Sequence, residues 1–162
     1  MTLLILGLVL FLGTHSLRLF APAWRERTRA GLGEMRWKAL YSLPSLLGFA
    51  LIVWGYGQAR LAPLPLWTPP TGLRHLAALL TLAAFVLLAA AYIPRNTFKA
   101  RWHHPMLLGT KLWATAHLLA NGNLADVLLF GSFLAWAIAL FAVSRRQDRL
   151  LGTTCAPASR TG

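Results

Sequence analysis

Five long apolar runs, separated by short basic segments, restrict this chain to a bundle of membrane-crossing helices. They cover Thr2 to Phe20, Leu40 to Gly57, Leu73 to Ile93, His104 to Ala120 and Leu124 to Val143. A helix needs about 20 largely apolar residues to cross the hydrocarbon layer. No strand-like alternation or amphipathic period replaces these runs. Only 12% of the residues are charged, against about a quarter in soluble domains. The expected fold is therefore all-α, a polytopic bundle of about five transmembrane helices.

The formal net charge of +12 would direct attention to nucleic acid in a soluble protein. Here the basic residues lie between the apolar runs, so topology explains them and no nucleic-acid partner is expected. Arg18, Arg25, Arg27, Arg29, Arg36 and Lys38 separate the first two runs, and only Arg60 and Arg74 separate the next pair. Arg95, Lys99 and Arg101 follow the third run, none follows the fourth, and Arg145, Arg146, Arg149 and Arg160 follow the fifth. Positive residues stay on the cytoplasmic side. The alternation predicts an outside N-terminus and a cytoplasmic C-terminus. The first run could be read as a signal peptide ending at Ala21-Pro22-Ala23. It lacks a basic n-region, and His15 and Arg18 interrupt its end, so a retained helix is expected.

Other landmarks fit this division. Pro63, Pro65, Pro69 and Pro70, with Trp67 among them, predict an irregular external loop, and Pro94 closes the third helix. The short turn at Gly122 predicts antiparallel packing of the last two helices. Trp24, Trp37, Trp54, Trp67 and Trp102 lie near span ends, as in an interfacial aromatic belt. Residues 1–146 read as the transmembrane domain and 147–162 as a polar, disordered tail. Cys155 lies in that tail, and a lone cysteine builds no disulfide framework.

The segment WHHPMLLGTKLWATAHLLANGN carries three histidines and a lysine where lipid-facing residues are expected. An ionisable side chain near the bilayer centre costs about 2.5–3.5 kcal/mol on insertion scales, so such residues point to function. His117 lies deepest. Trp113 and Asn121, four residues to either side, share its face of the helix. Asn121 is placed to fix the imidazole tautomer, and Trp113 to cover one face of a planar cofactor. The bland alternative is that His117 and Asn121 bond across helices. His15 shares a face with Arg18. His75 opens the third helix, where an interfacial role competes with ligation. His103 and His104 point about 100° apart, which argues against a shared metal. Lys111 is long enough to snorkel to the inner interface, and Asp126 suits a helix N-terminus.

Nucleophilic and hydrolytic machinery is missing: the sequence holds no G-x-S-x-G, H-E-x-x-H or C-x-x-C. Glu26, Glu34, Asp126 and Asp148 offer no carboxylate pair. Imidazole without thiolate or carboxylate suits haem iron best among the common metals. Two histidines on different helices would make a b-type site. Depth along the helices prefers His75 with His117 and leaves His15 open.

The segments LGTHSLRLFAPAWR, WKALYSLPSLLGFALIVWGYG, LRHLAALL, HPMLLGTKLWATAHLLANG and VLLFGSFLAWA together resemble the NnrU family over about residues 1–146. That resemblance implies a multi-pass protein of the bacterial inner membrane, associated with nitrite and nitric oxide respiration. The family is related to 15-cis-zeta-carotene isomerase, a membrane enzyme that uses haem b. The isomerase's H-S pair corresponds to His15-Ser16. Its R-H-P…W-x-x-A-H…G-N block corresponds to His104-Pro105, Trp113, Ala116-His117 and Gly122-Asn123. Carried over, His15 and His117 become the axial ligands of haem b, and Arg18 a partner for a propionate. A third histidine of the isomerase falls near Tyr56, and a cysteine of its ligand block becomes Ala114. These departures weaken the isomerase reaction as an implication and leave the haem site.

His104 to Gly109 also resembles the R-H-P-x-Y-x-G motif of membrane isoprenylcysteine-type methyltransferases. Those enzymes need acidic residues after the last helix to hold S-adenosylmethionine, and only Asp148 stands there. His104 then reads as a helix cap or a contact to a lipid phosphate. The expected function is a haem b protein of denitrification, acting in electron transfer, nitric oxide chemistry or maturation. Its expected partners are membrane lipids, haem and other membrane proteins of nitrite and nitric oxide respiration. The alternatives are a haem-dependent cis–trans isomerase of a carotenoid-like polyene and a haem-free interaction protein.

Overall fold

The structure, a computed structural model, describes residues 1–17, 21–94 and 97–150, without the side chains of 98–100. The helices are α1 (Thr2–His15), α2 (Pro22–Leu32), α3 (Glu34–Leu61), α4 (Thr71–Tyr92), α5 (Thr97–Trp102), α6 (Pro105–Ala120) and α7 (Leu124–Leu150). No strand occurs among the described residues, only an isolated bridge between Pro65 and Asn123. The all-α expectation holds.

Among the described residues three helices, α3, α4 and α7, are long and apolar enough to cross a membrane. In the other two expected spans the described helices are shorter, and residues 18–20 of the first span lie outside the described residues. The 14 residues of α1 and the 16 of α6 reach about 21 and 24 Å at 1.5 Å per residue, below the roughly 30 Å of hydrocarbon. In the opposite direction, α3 starts six residues before Leu40 and α7 runs seven beyond Val143. The basic ends of these helices, rich in Arg and Lys, continue the helical hydrogen bonding past the apolar run. The described part of the tail is helical to Leu150, and residues 151–162 lie outside the described residues.

The chain forms two compact units, one from Met1–Leu66 with Asn123–Leu129, the other from Trp67–Gly122 with the residues from Phe130 onward. In the first unit α1 packs on α3. Besides Trp37, the buried positions of α3 are Gly48, Ile52, Gly55 and Ala59, these four spaced four, three and four residues apart, which is one helical stripe. Backbone meets backbone at Gly7, Gly48 and Gly55. A Cβ on Gly48 would lie 2.7 Å from the Phe11 nitrogen, and one on Gly55 would run into the backbone of Leu3 and Leu4. Small residues at such crossings gain van der Waals contact where no hydrophobic drive between helices exists. Helix α2 carries no buried residue and turns into α3 at Gly33, whose φ of 77° favours glycine. Trp24 meets Trp37 edge-on with centroids 6.2 Å apart. Trp37 is buried, so this member of the expected aromatic belt packs against protein.

In the second unit α4 packs on α6, again through small residues. Ala77 and Ala84 are buried on α4, and Gly109, Ala114 and Ala116 on α6. Leu87 and Leu107 are buried with them, while other large side chains point the other way: Leu79 and Leu82 are 66% and 64% exposed where Ala84 is 0%. Exposed leucine around a buried alanine seam is stable in lipid and wasteful in water, where each apolar Å² exposed forgoes about 25 cal/mol. Helices α6 and α7 are antiparallel, as the short turn predicts. Contacts run from His117 with Phe130 through Lys111 with Phe141 to His104 with Asp148. Gly122 closes the turn against Trp67, whose amide donates to the Gly122 carbonyl at 3.2 Å.

Candidate functional site

His15 ends α1, with its Nδ1 2.8 Å from the Phe11 carbonyl oxygen. That contact requires a proton on Nδ1 and puts the imidazole lone pair on Nε2. Metal-ligating histidines are commonly oriented this way. The ring lies 4.2 Å from that of Phe11 and edge-on to Tyr41 at 5.6 Å. Thr14 and Ser16 donate to the carbonyls of Leu10 and Leu12 at 2.7 and 2.6 Å. The polar end of an apolar helix is thus satisfied by its own backbone. Arg18, the expected propionate partner, lies outside the described residues.

His117 occupies the last turn of α6 inside an aromatic cluster. It stacks on Phe130, and Trp113 meets it edge-on at 5.3 Å and 70°. Trp113 also stands edge-on to Phe130 and Phe133, at 5.2 and 5.7 Å. The Trp113–His117–Asn121 face exists, and Asn121 uses its side-chain amide to donate to the His117 carbonyl at 2.9 Å. Its backbone amide donates to the same oxygen at 3.0 Å. Asn121 therefore caps α6, a local duty open to any asparagine at a helix end.

The remaining histidines are placed differently. His75 is exposed in the first turn of α4. His103 and His104 have ring centroids 6.5 Å apart. His104 is the N-cap residue of α6, and its Nε2 lies 2.9 Å from Oδ2 of Asp148. Asp148 is the acidic residue that a methyltransferase reading would need for its cofactor, and here it faces this imidazole. Lys111 holds its Nζ 3.9 Å from the centre of the Phe141 ring, a cation–π contact.

One polar network escaped sequence reasoning. Tyr56 donates to Oδ1 of Asp126 at 2.5 Å. Oδ2 of Asp126 accepts from the backbone and side-chain nitrogens of Asn123 at 3.2 and 3.0 Å. Asp126 reaching back to the Asn123 amide is the return half of a capping box at the start of α7, so the helix-N-terminal placement expected for Asp126 is met. Tyr56, where the isomerase resemblance puts a histidine, contributes to that cap. Only the i, i+3 spacing was visible in the sequence; the tyrosine comes from 70 residues away.

Among the described residues no group of three or more His, Cys, Asp or Glu side chains is positioned to hold a metal ion. The donor set fits a group that supplies its own equatorial ligands and asks for one or two imidazoles, as haem does. No curated protein and no solved structure matches the chain. The model of the family described as NnrU protein matches residues 3–162, essentially the whole chain, including α1, the His104 motif and the His117 face. The chain belongs to the NnrU family.

Proposed function

We propose that this protein is a multi-pass inner-membrane haem b protein with His15 and His117 as axial ligands. Its N-terminus lies outside and its C-terminus in the cytoplasm, as the basic residues distribute. The observation that carries the proposal is the His15 Nδ1 contact with the Phe11 carbonyl, 2.8 Å, which leaves Nε2 as the basic nitrogen of the ring. At His117 the ring is oriented by Phe130 and Trp113. Arg18 completes the proposal as a propionate partner. When bound, haem b would supply one-electron redox chemistry. The residues orient the imidazoles and exclude water.

The role that family membership favours is in nitrite and nitric oxide respiration, as an electron-transfer, nitric oxide-related or maturation factor. Tyr56, held in the cap of α7, gives the polyene-isomerase reading no comparable support. The cofactor claim is tested by pyridine haemochrome assay of the full chain expressed with a haem precursor, where one haem b per chain is expected. Protein that stays colourless after haem is supplied refutes it. The physiological claim is tested in a denitrifying host. Deletion of the gene slows nitrite or nitric oxide consumption and the intact gene restores it; unchanged consumption refutes this part alone.

A further inference from the structure

Helix α2 is held by less than a helix of 11 residues needs. None of its residues is buried, and isolated helices shorter than about 12–15 residues are marginal in water. It meets α3 through Trp24 and Trp37, ring centroids 6.2 Å apart, yet Trp24 stays 51% exposed. Leu32 and Met35, on either side of the Gly33 turn, are 39% and 81% exposed. Residues 21–38 carry five cations, Arg25, Arg27, Arg29, Arg36 and Lys38, against the two carboxylates of Glu26 and Glu34. Glu26 pairs with Arg25 and Arg29, and Glu34 with Lys38. Arg27 and Arg36 form no ion pair among the described residues, and both are exposed.

We infer that α2 is an in-plane membrane helix that docks on an anionic phospholipid surface. Trp37 lies three residues before Leu40, where the apolar run of α3 begins. At 1.5 Å per residue that is about 4.5 Å, and the headgroup layer is about 5–7.5 Å deep on each side of the hydrocarbon. Trp24, set against Trp37, therefore sits at headgroup depth, where tryptophan is favoured. Exposed tryptophan, leucine and methionine beside surplus cations is the composition of helices that lie in the interface and prefer anionic lipid. The topology proposed above puts this surface on the cytoplasmic leaflet, where anionic headgroups collect. The inference takes from that proposal the choice of leaflet alone, and a failure of the haem assignment would leave it intact.

Hydrogen–deuterium exchange of the full chain tests this in neutral detergent, in phosphatidylcholine nanodiscs and in nanodiscs that also contain phosphatidylglycerol. Amides from Ala23 to Leu32 should exchange about tenfold more slowly with phosphatidylglycerol than without it. High salt should erase the difference by screening. Arg27→Gln and Arg36→Gln should each cut it about fivefold, the worth of one basic residue near an anionic surface. Both side chains are exposed, so these variants keep their helices. Arg74→Gln, an exposed position on α4, should leave the difference unchanged. Equal exchange in the two nanodiscs, or an equal effect of Arg74→Gln, overturns the inference. Full protection of α2 already in detergent overturns the lipid in favour of a protein contact.

Discussion

His117 lies flat against Phe130, ring centroids 4.4 Å apart and planes 8° from parallel. The stack fixes the rotation of an imidazole in the last turn of an otherwise apolar helix. Aromatic pairs of this kind add about 0.5–1.5 kcal/mol beyond the area they bury. Phe130 is itself 6% exposed. Phe130→Ala is expected to destabilise the protein by about 3 kcal/mol, the low end for removing a buried phenyl ring, and Phe130→Leu by much less. Thermal unfolding in detergent measures both.

The α1–α3 crossing depends on the absence of a side chain at Gly55. Gly55→Ala pushes a methyl group into the Leu3–Leu4 backbone and is expected to cost about 1–3 kcal/mol, as overpacking does. Gly57→Ala, with open space around it, should change stability by no more than about 0.5 kcal/mol. Equal melting temperatures for the two variants would contradict the close approach.

Tyr56→Phe removes one donor from a carboxylate that is 3% exposed. Hydrogen bonds to charged groups contribute about 1.5–3 kcal/mol, and a loss of that size is expected. Haem content should not fall, because Tyr56 serves the cap of α7. A loss of haem without a loss of stability would move Tyr56 into the cofactor site.

His104 and Asp148 are 21% and 24% exposed, so solvent screens their attraction. A double-mutant cycle on His104→Ala and Asp148→Ala should give a coupling of about 0.5–1 kcal/mol. A coupling near zero would show that α6 and α7 do not depend on this contact for their register.

The helical class and the core of each helix were readable because hydrocarbon demands long apolar runs. Helix ends were less readable. The polar, basic stretches from Glu34 to Leu40 and after Val143 keep helical backbone while losing hydropathy, so α3 and α7 outrun their apolar parts. The helix α2 lies wholly in such a basic segment and gave no apolar signal. Pairings across the chain were least readable. The Trp113–His117–Asn121 face follows from spacing, but Tyr56 with Asp126 and His104 with Asp148 require knowing which helices pack and in what register. The apolar pattern fixes helix rotation loosely when leucine and alanine surround every face.

Ligation of haem iron by His15 and His117 is tested most directly by the visible spectrum of the purified protein. Wild type supplied with haem should show the Soret and α bands of a low-spin, bis-histidine b-type centre. His15→Ala and His117→Ala should each lose that low-spin signature, while His75→Ala keeps it. No haem band in wild type, or loss with His75→Ala while His15→Ala stays low-spin, would contradict ligation by this pair.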